Sequence, residues 1–138
     1  MTSIPAGLRR LVVFRAGNRC EYCGLAQEGQ EATFHIDHIV PRAAGGTTTT
    51  GNLALACVSC SLRKESRRSG VDPRTKRTIP LFNPRRQLWA NHFRWEVFTV
   101  VGLTPTGRAT VATLRLNRPL ILAIRAEEAV RGRHPPPR

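Results

Sequence analysis

Apolar positions set the first elements. In residues 5–16, PAGLRRLVVFRA, Leu8, Leu11 and Val12 share one helical face while Arg9 and Arg10 lie opposite. Pro5 suits a first turn and Gly17 a stop, so the pattern predicts a short helix. Residues 33–40, TFHIDHIV, are β-branched and alternate, which predicts a strand. Phe34, Ile36 and His38 fall on one face of that strand, and His35 and Asp37 on the other. Pro41 ends the ladder, RAAGGTTTTG reads as a flexible loop, and NLALA as a second, apolar strand. From Cys57 to about Ser69 the chain reads as a helix that carries Arg63, Lys64, Arg67 and Arg68. The expected order is helix, cysteine turn, strand, loop, strand, helix.

Beyond residue 70 the pattern changes. VDPRTKRTIPLFNPRRQLW is rich in Pro and Arg and is expected to wrap over the surface. A helical turn is expected at Trp89–Phe93, a strand at WEVFTVVGL and a turn at TPTGRAT, with 110–116 open between strand and helix. NRPLILAIRAEEAVRG predicts a terminal helix, with Asn117 as its cap, Pro119 in its first turn and Gly132 as its stop. The aromatic residues Trp89, Phe93 and Trp95 are expected to form a satellite core. These breaks divide the chain into a core at 1–70 and a basic extension at 71–138, packed on the core. The class is α+β.

Composition narrows the setting. At 138 residues the chain has room for a limited core, so a metal staple would serve it. It has no run of 18 apolar residues and no secretory leader, which argues against a membrane span and for a cytoplasmic location. A net charge of +13 from 22 Lys and Arg against 9 Asp and Glu points to a polyanionic partner. The charge is clustered: residues 63–94 hold ten of those basic side chains and only two acids, Glu65 and Asp72.

The four cysteines, Cys20, Cys23, Cys57 and Cys60, are spaced as two C-x2-C turns. Two residues between cysteines let both thiolates reach one ion, and two such turns complete a closed tetrahedral site. In a reducing compartment that pattern predicts structural Zn2+ rather than disulfides. The gap between the turns is longer than in a compact zinc ribbon and holds Asp37, the sole acid between residues 32 and 64. An isolated carboxylate invites a hard divalent cation. The adjacent His38 can be neutral near pH 7 and accept a proton from water. Together a metal and a base suffice for phosphodiester hydrolysis.

Cysteine turn, FHIDHIVP strand, GG loop, Asn52-Leu53, second cysteine turn and basic helix together resemble the HNH endonucleases over roughly residues 8–68. The resemblance implies a small ββα-metal (His-Me finger) core with a four-cysteine zinc site and a C-terminal α/β extension. It implies His38 as general base, Asp37 as ligand of a catalytic Mg2+ or Mn2+, and Asn52 as the residue that fixes the loop and orients the histidine. Ser61 departs from the pattern, which has Asn or His after the last cysteine. It could bind the ion through water. His35 could be a further ligand, a phosphate contact or a plain strand residue. Some of Arg63, Lys64, Arg67 and Arg68 are expected to contact phosphates of double-stranded DNA, the alternative being a solvated helix face. The implied activity is metal-dependent DNA cleavage. The alternatives are a catalytically weak zinc-stapled DNA-binding module and a structural scaffold.

Overall fold

The computed structural model describes residues 4–137. Helix α1 (Ala6–Arg15) is followed by the first cysteine turn and strand β1 (His35–His38). Strand β2 (Leu53–Ala56) pairs with β1 antiparallel, setting His35 opposite Ala56 and His38 opposite Leu53. Helix α2 (Val58–Lys64) then completes a ββα unit. Every residue of β2 is buried, as its continuous apolar run requires. Its outer edge is covered without another strand: Glu21 N donates to Leu55 O at 2.8 Å, Leu55 N to Glu21 Oε2 at 2.8 Å, and Arg15 to Leu53 O at 2.7 Å. Backbone groups that would otherwise be orphaned are thereby satisfied.

The loop between β1 and β2 is built by Asn52. Its side chain accepts from Val40 N at 2.8 Å and donates to Val40 O at 3.0 Å and Thr47 O at 2.9 Å. Gly46 belongs in this loop because a Cβ there would collide with Val40 O, a close approach only glycine permits.

The second half contains hairpins β3 (Ser69–Val71) with β4 (Thr78–Pro80) and β5 (Phe93–Glu96) with β6 (Thr99–Gly102). It also contains the helical turn α3 (Trp89–His92) and helices α4 (Pro105–Leu114) and α5 (Pro119–Val130). Several expectations need correction. The basic helix stops at Lys64, where Glu65 takes a positive φ of 48°, so Arg67 and Arg68 lie beyond it. The next residues are drawn into β3 because Asp72 builds a turn, accepting from Arg74 N at 3.0 Å and Thr75 Oγ1 at 2.9 Å. TPTGRAT is the start of α4: Thr104 caps it by accepting from Gly107 N at 3.0 Å, and Pro105 occupies the first turn. Residues 93–102 form a hairpin rather than one strand. Asn117 does not cap α5. Its side chain bridges Val100 N and O, both at 2.8 Å.

One buried cluster joins Val12, Tyr22, Leu53 and Leu55 of the first half to Phe82, Phe93, Leu114 and Ile121 of the second. Leu81 and Phe82 are buried, so the Pro- and Arg-rich stretch is partly core rather than a surface wrap. Trp89 and Trp95 pack against this same cluster instead of forming a separate one. Among the described residues no helix is long and apolar enough to cross a membrane.

Candidate active site and metal centre

The two cysteine turns meet. The Sγ atoms of Cys20, Cys23, Cys57 and Cys60 all lie within 4.8 Å of one another, and all four residues are buried. Cys23 Sγ and Cys57 Sγ are 3.7 Å apart. A tetrahedral ion with zinc–sulfur bonds of about 2.3 Å requires sulfurs about 3.8 Å apart, so the cluster fits one such ion. Each turn supplies an amide to its first sulfur, Cys23 N to Cys20 at 3.5 Å and Cys60 N to Cys57 at 3.4 Å. Hydrogen bonds from Cys20, Cys23 and Cys60 hold the Cys57 thiol far below the ordinary range, while burial pushes Cys20 up. Four buried thiols with no open position fit a metal site of the closed, structural kind.

Strand β1 turns His35 and Asp37 toward α2, as alternation predicts. His35 Nδ1 and Ser61 Oγ share a hydrogen bond of 2.9 Å. Asp37, 8% exposed, accepts from the Tyr22 hydroxyl at 2.8 Å and lies 3.1 Å from the Lys64 ammonium. Lys64 Nζ also reaches the carbonyls of His38 and Ile39, both at 3.2 Å. Burial raises the Asp37 carboxyl above its ordinary range; Lys64 and Tyr22 pull against that shift.

Lys64 is therefore not the surface phosphate contact its sequence spacing suggested. It is 2% exposed, drawn inward because Asp37 would otherwise be a buried charge without a partner. Arg63 stays near the helix surface, its Nε donating to Ser59 Oγ at 3.2 Å. Arg67 and Arg68 are exposed, and Arg67 donates to Arg63 O at 2.9 Å.

His38 sits at the end of β1, half-buried, with Nε2 2.9 Å from Thr48 Oγ1 in the loop that Asn52 pins. Burial lowers its pKa and Arg42 lowers it further, against an opposing pull from Asp37. Both shifts favour the neutral, proton-accepting form of the imidazole. His38 and Asp37 make no hydrogen bond to each other among the described residues.

A second ion beside Asp37 would draw on a mixed donor set. Asp37 Oδ1 has only the 3.4 Å contact with Lys64, so it keeps acceptor capacity. Ser61 Oγ and the free ring nitrogen of His35 lie on the same side of β1. One carboxylate, one hydroxyl and one imidazole suit a hydrated Mg2+ or Mn2+, which keeps several waters. The Lys64 ammonium already lies against that carboxylate and competes for it. Tyr22 and Thr48 were not singled out from sequence. The aromatic between Cys20 and Cys23 was a signal for the first; the run of four threonines hid the second.

The HNH endonuclease family model matches residues 20–67, from the first cysteine to just past α2. Searches of curated proteins and of solved structures found no match.

Proposed function

We propose that this chain, which carries an HNH endonuclease domain at residues 20–67, is a zinc-stapled, metal-dependent endonuclease that hydrolyses phosphodiester bonds of double-stranded DNA. The observation that carries the reading is His38: a half-buried imidazole at a strand end, its pKa lowered by burial, facing a loop fixed by Asn52. His38 takes a proton from the attacking water at Nε2. Thr48 holds that nitrogen in the resting state and yields it when water enters. Asn52 keeps the loop, and with it Thr48, opposite the ring. Asp37, with Ser61 and His35, would hold the Mg2+ or Mn2+. When bound, that ion supplies positive charge to the phosphate and the leaving 3′ oxygen. The four cysteines hold Zn2+ and take no part in the chemistry.

Arg63, Arg67 and Arg68 grip phosphates, joined by Arg42 at the mouth of the β1–β2 loop. Phosphate contacts position the duplex without reading its sequence, so DNA affinity should fall steeply with salt. The test is relaxation of supercoiled plasmid by the full chain in Mg2+ or Mn2+, compared with metal-free buffer. Nicked product only with the ion supports the proposal. A protein that retards DNA at low salt but nicks it with neither ion is a binding module instead. That second reading draws on two contacts: the Lys64 ammonium already lies against Asp37, and Ser61 is engaged by His35.

A further inference from the structure

Two cations in the described residues are fully buried, Lys64 and Arg125, and among the buried and half-buried ones four face a carboxylate. Lys64 pairs with Asp37, Arg85 with Glu21, Arg108 with Asp72 and Arg133 with Glu128. Arg125, in the middle of α5, is 2% exposed and has no ion pair among the described residues. Glu128, one turn further along α5 and itself buried, is taken by Arg133 at 2.7 Å.

The guanidinium of Arg125 has five N–H donors. It donates to Phe98 O at 2.8 Å, Asn117 Oδ1 at 3.3 Å and Cys23 O at 3.5 Å, and it lies 5.0 Å from the centroid of the Trp95 ring. Its Nε is a buried side-chain nitrogen with no partner. Carbonyls and an aromatic face orient a guanidinium, but they do not neutralise it, and a buried charge without a counter-charge is strongly destabilising. The missing negative charge lies next door. Arg125 touches the backbone of Cys23; burial lowers its pKa, Arg118 adds to that shift, and the charges of Cys23, Cys60 and Cys20 pull against it. A tetrathiolate around a divalent ion carries a net double negative charge, buried in this case among apolar residues.

We propose that Arg125 is the built-in counter-charge of the four-cysteine metal site, through which the C-terminal half sets how tightly the site holds its ion. The inference rests on the zinc reading of that cluster. It gives α5 a task that nothing in its sequence pattern announces. Trp89 adds to the same connection by donating from Nε1 to Tyr22 O at 3.0 Å, within the same cysteine turn. Arg125 acts on the metal through the charge of its ligands and is a positioning residue.

The experiment uses the full chain, loaded with Zn2+ for competition against a chromophoric chelator and with Co2+ for its sulfur-to-metal charge-transfer band. Arg125→Met keeps the length of the side chain and removes the charge. Zinc affinity should drop by about 10- to 100-fold, the range for outer-shell changes at metal sites. The Co2+ band should move to longer wavelength, because thiolates without the nearby cation give up electron density more easily. Arg125→Lys should recover most of both. Trp95→Leu, which alters packing but not charge, should lower thermal stability and leave the band in place.

Asn117→Asp offers a second route, since it hands Arg125 a competing carboxylate while the guanidinium stays. It should weaken zinc and shift the band in the same direction, and it decides the matter if Arg125→Met does not fold. Unchanged affinity and an unmoved band in the folded variants would overturn the proposal. A wild-type chain that binds neither Zn2+ nor Co2+ through sulfur would instead overturn the zinc reading beneath it.

Discussion

Asp37 and Asp72 are both buried, at 8% and 0% exposure, yet their surroundings pull them in opposite directions. Arg108 grips Asp72 with two bonds of 2.9 and 3.0 Å, and Arg74 N and Thr75 Oγ1 add two more. That network holds the Asp72 carboxyl well below the usual range. Asp37 has a single ammonium at 3.1 Å and one phenol, and burial wins, raising its carboxyl. The first arrangement is complete and ties α4 to the β3–β4 turn. In the second, a carboxylate remains short of compensation beside a histidine whose pKa burial lowers. Under-compensated titratable groups of that kind gather at functional sites.

The largest expected effect removes the frame around Asp37. Chelating the zinc should abolish the cooperative thermal transition, since binding energy at a structural zinc is folding energy, on the order of 10 kcal/mol. A chain that melts at the same temperature with and without chelator would show that the cysteines need no ion.

Lys64→Met comes next. It strands the Asp37 carboxylate and should cost about 3–5 kcal/mol in urea unfolding. Adding Asp37→Asn should restore most of that loss, because a neutral amide needs no cation. If the single change costs under about 1 kcal/mol, Asp37 reaches water and its contrast with Asp72 disappears.

Acid titration sharpens the other half of the comparison. The folded pKa of Asp72 lies below its unfolded value, so its stabilisation is full above about pH 4 and is lost as pH falls through the lowered value. Arg108→Met should flatten that acid limb of the melting temperature. An unaltered limb would mean that other carboxylates cause it.

Ser61→Ala should have the smallest effect on stability, about 1 kcal/mol from the lost bond to His35. A much greater loss would make the His35–Ser61 pair structural.

Much of the ββα unit was legible in the sequence. Alternation in TFHIDHIV, the apolar run LALA and paired C-x2-C turns are local patterns, and each points to the element it forms. Alternation also put His35 and Asp37 on one face, where α2 meets them. What could not be read depends on tertiary partners. Helical spacing placed Lys64 with the arginines, but a buried Asp37 draws it inward. A turn built by Asp72 ends the run of basic residues as a strand. Asn117 resembles a cap, yet Val100 offers it an amide and a carbonyl. The extension hid the most, because Arg125 matters only through the cysteine turn it touches, 102 residues away in sequence.

On the proposed function, chemistry occurs at Asp37 and His38 and not at the cysteines. The most direct test measures zinc content, DNA retardation and plasmid nicking on one preparation each of wild type, Asp37→Ala and His38→Ala. All three should bind DNA and hold one zinc. Both variants should nick at least about 100-fold more slowly than wild type in Mg2+ or Mn2+, the scale of losing a general base. His38→Ala nicking at the wild-type rate, or Asp37→Ala losing its zinc, would contradict that proposal.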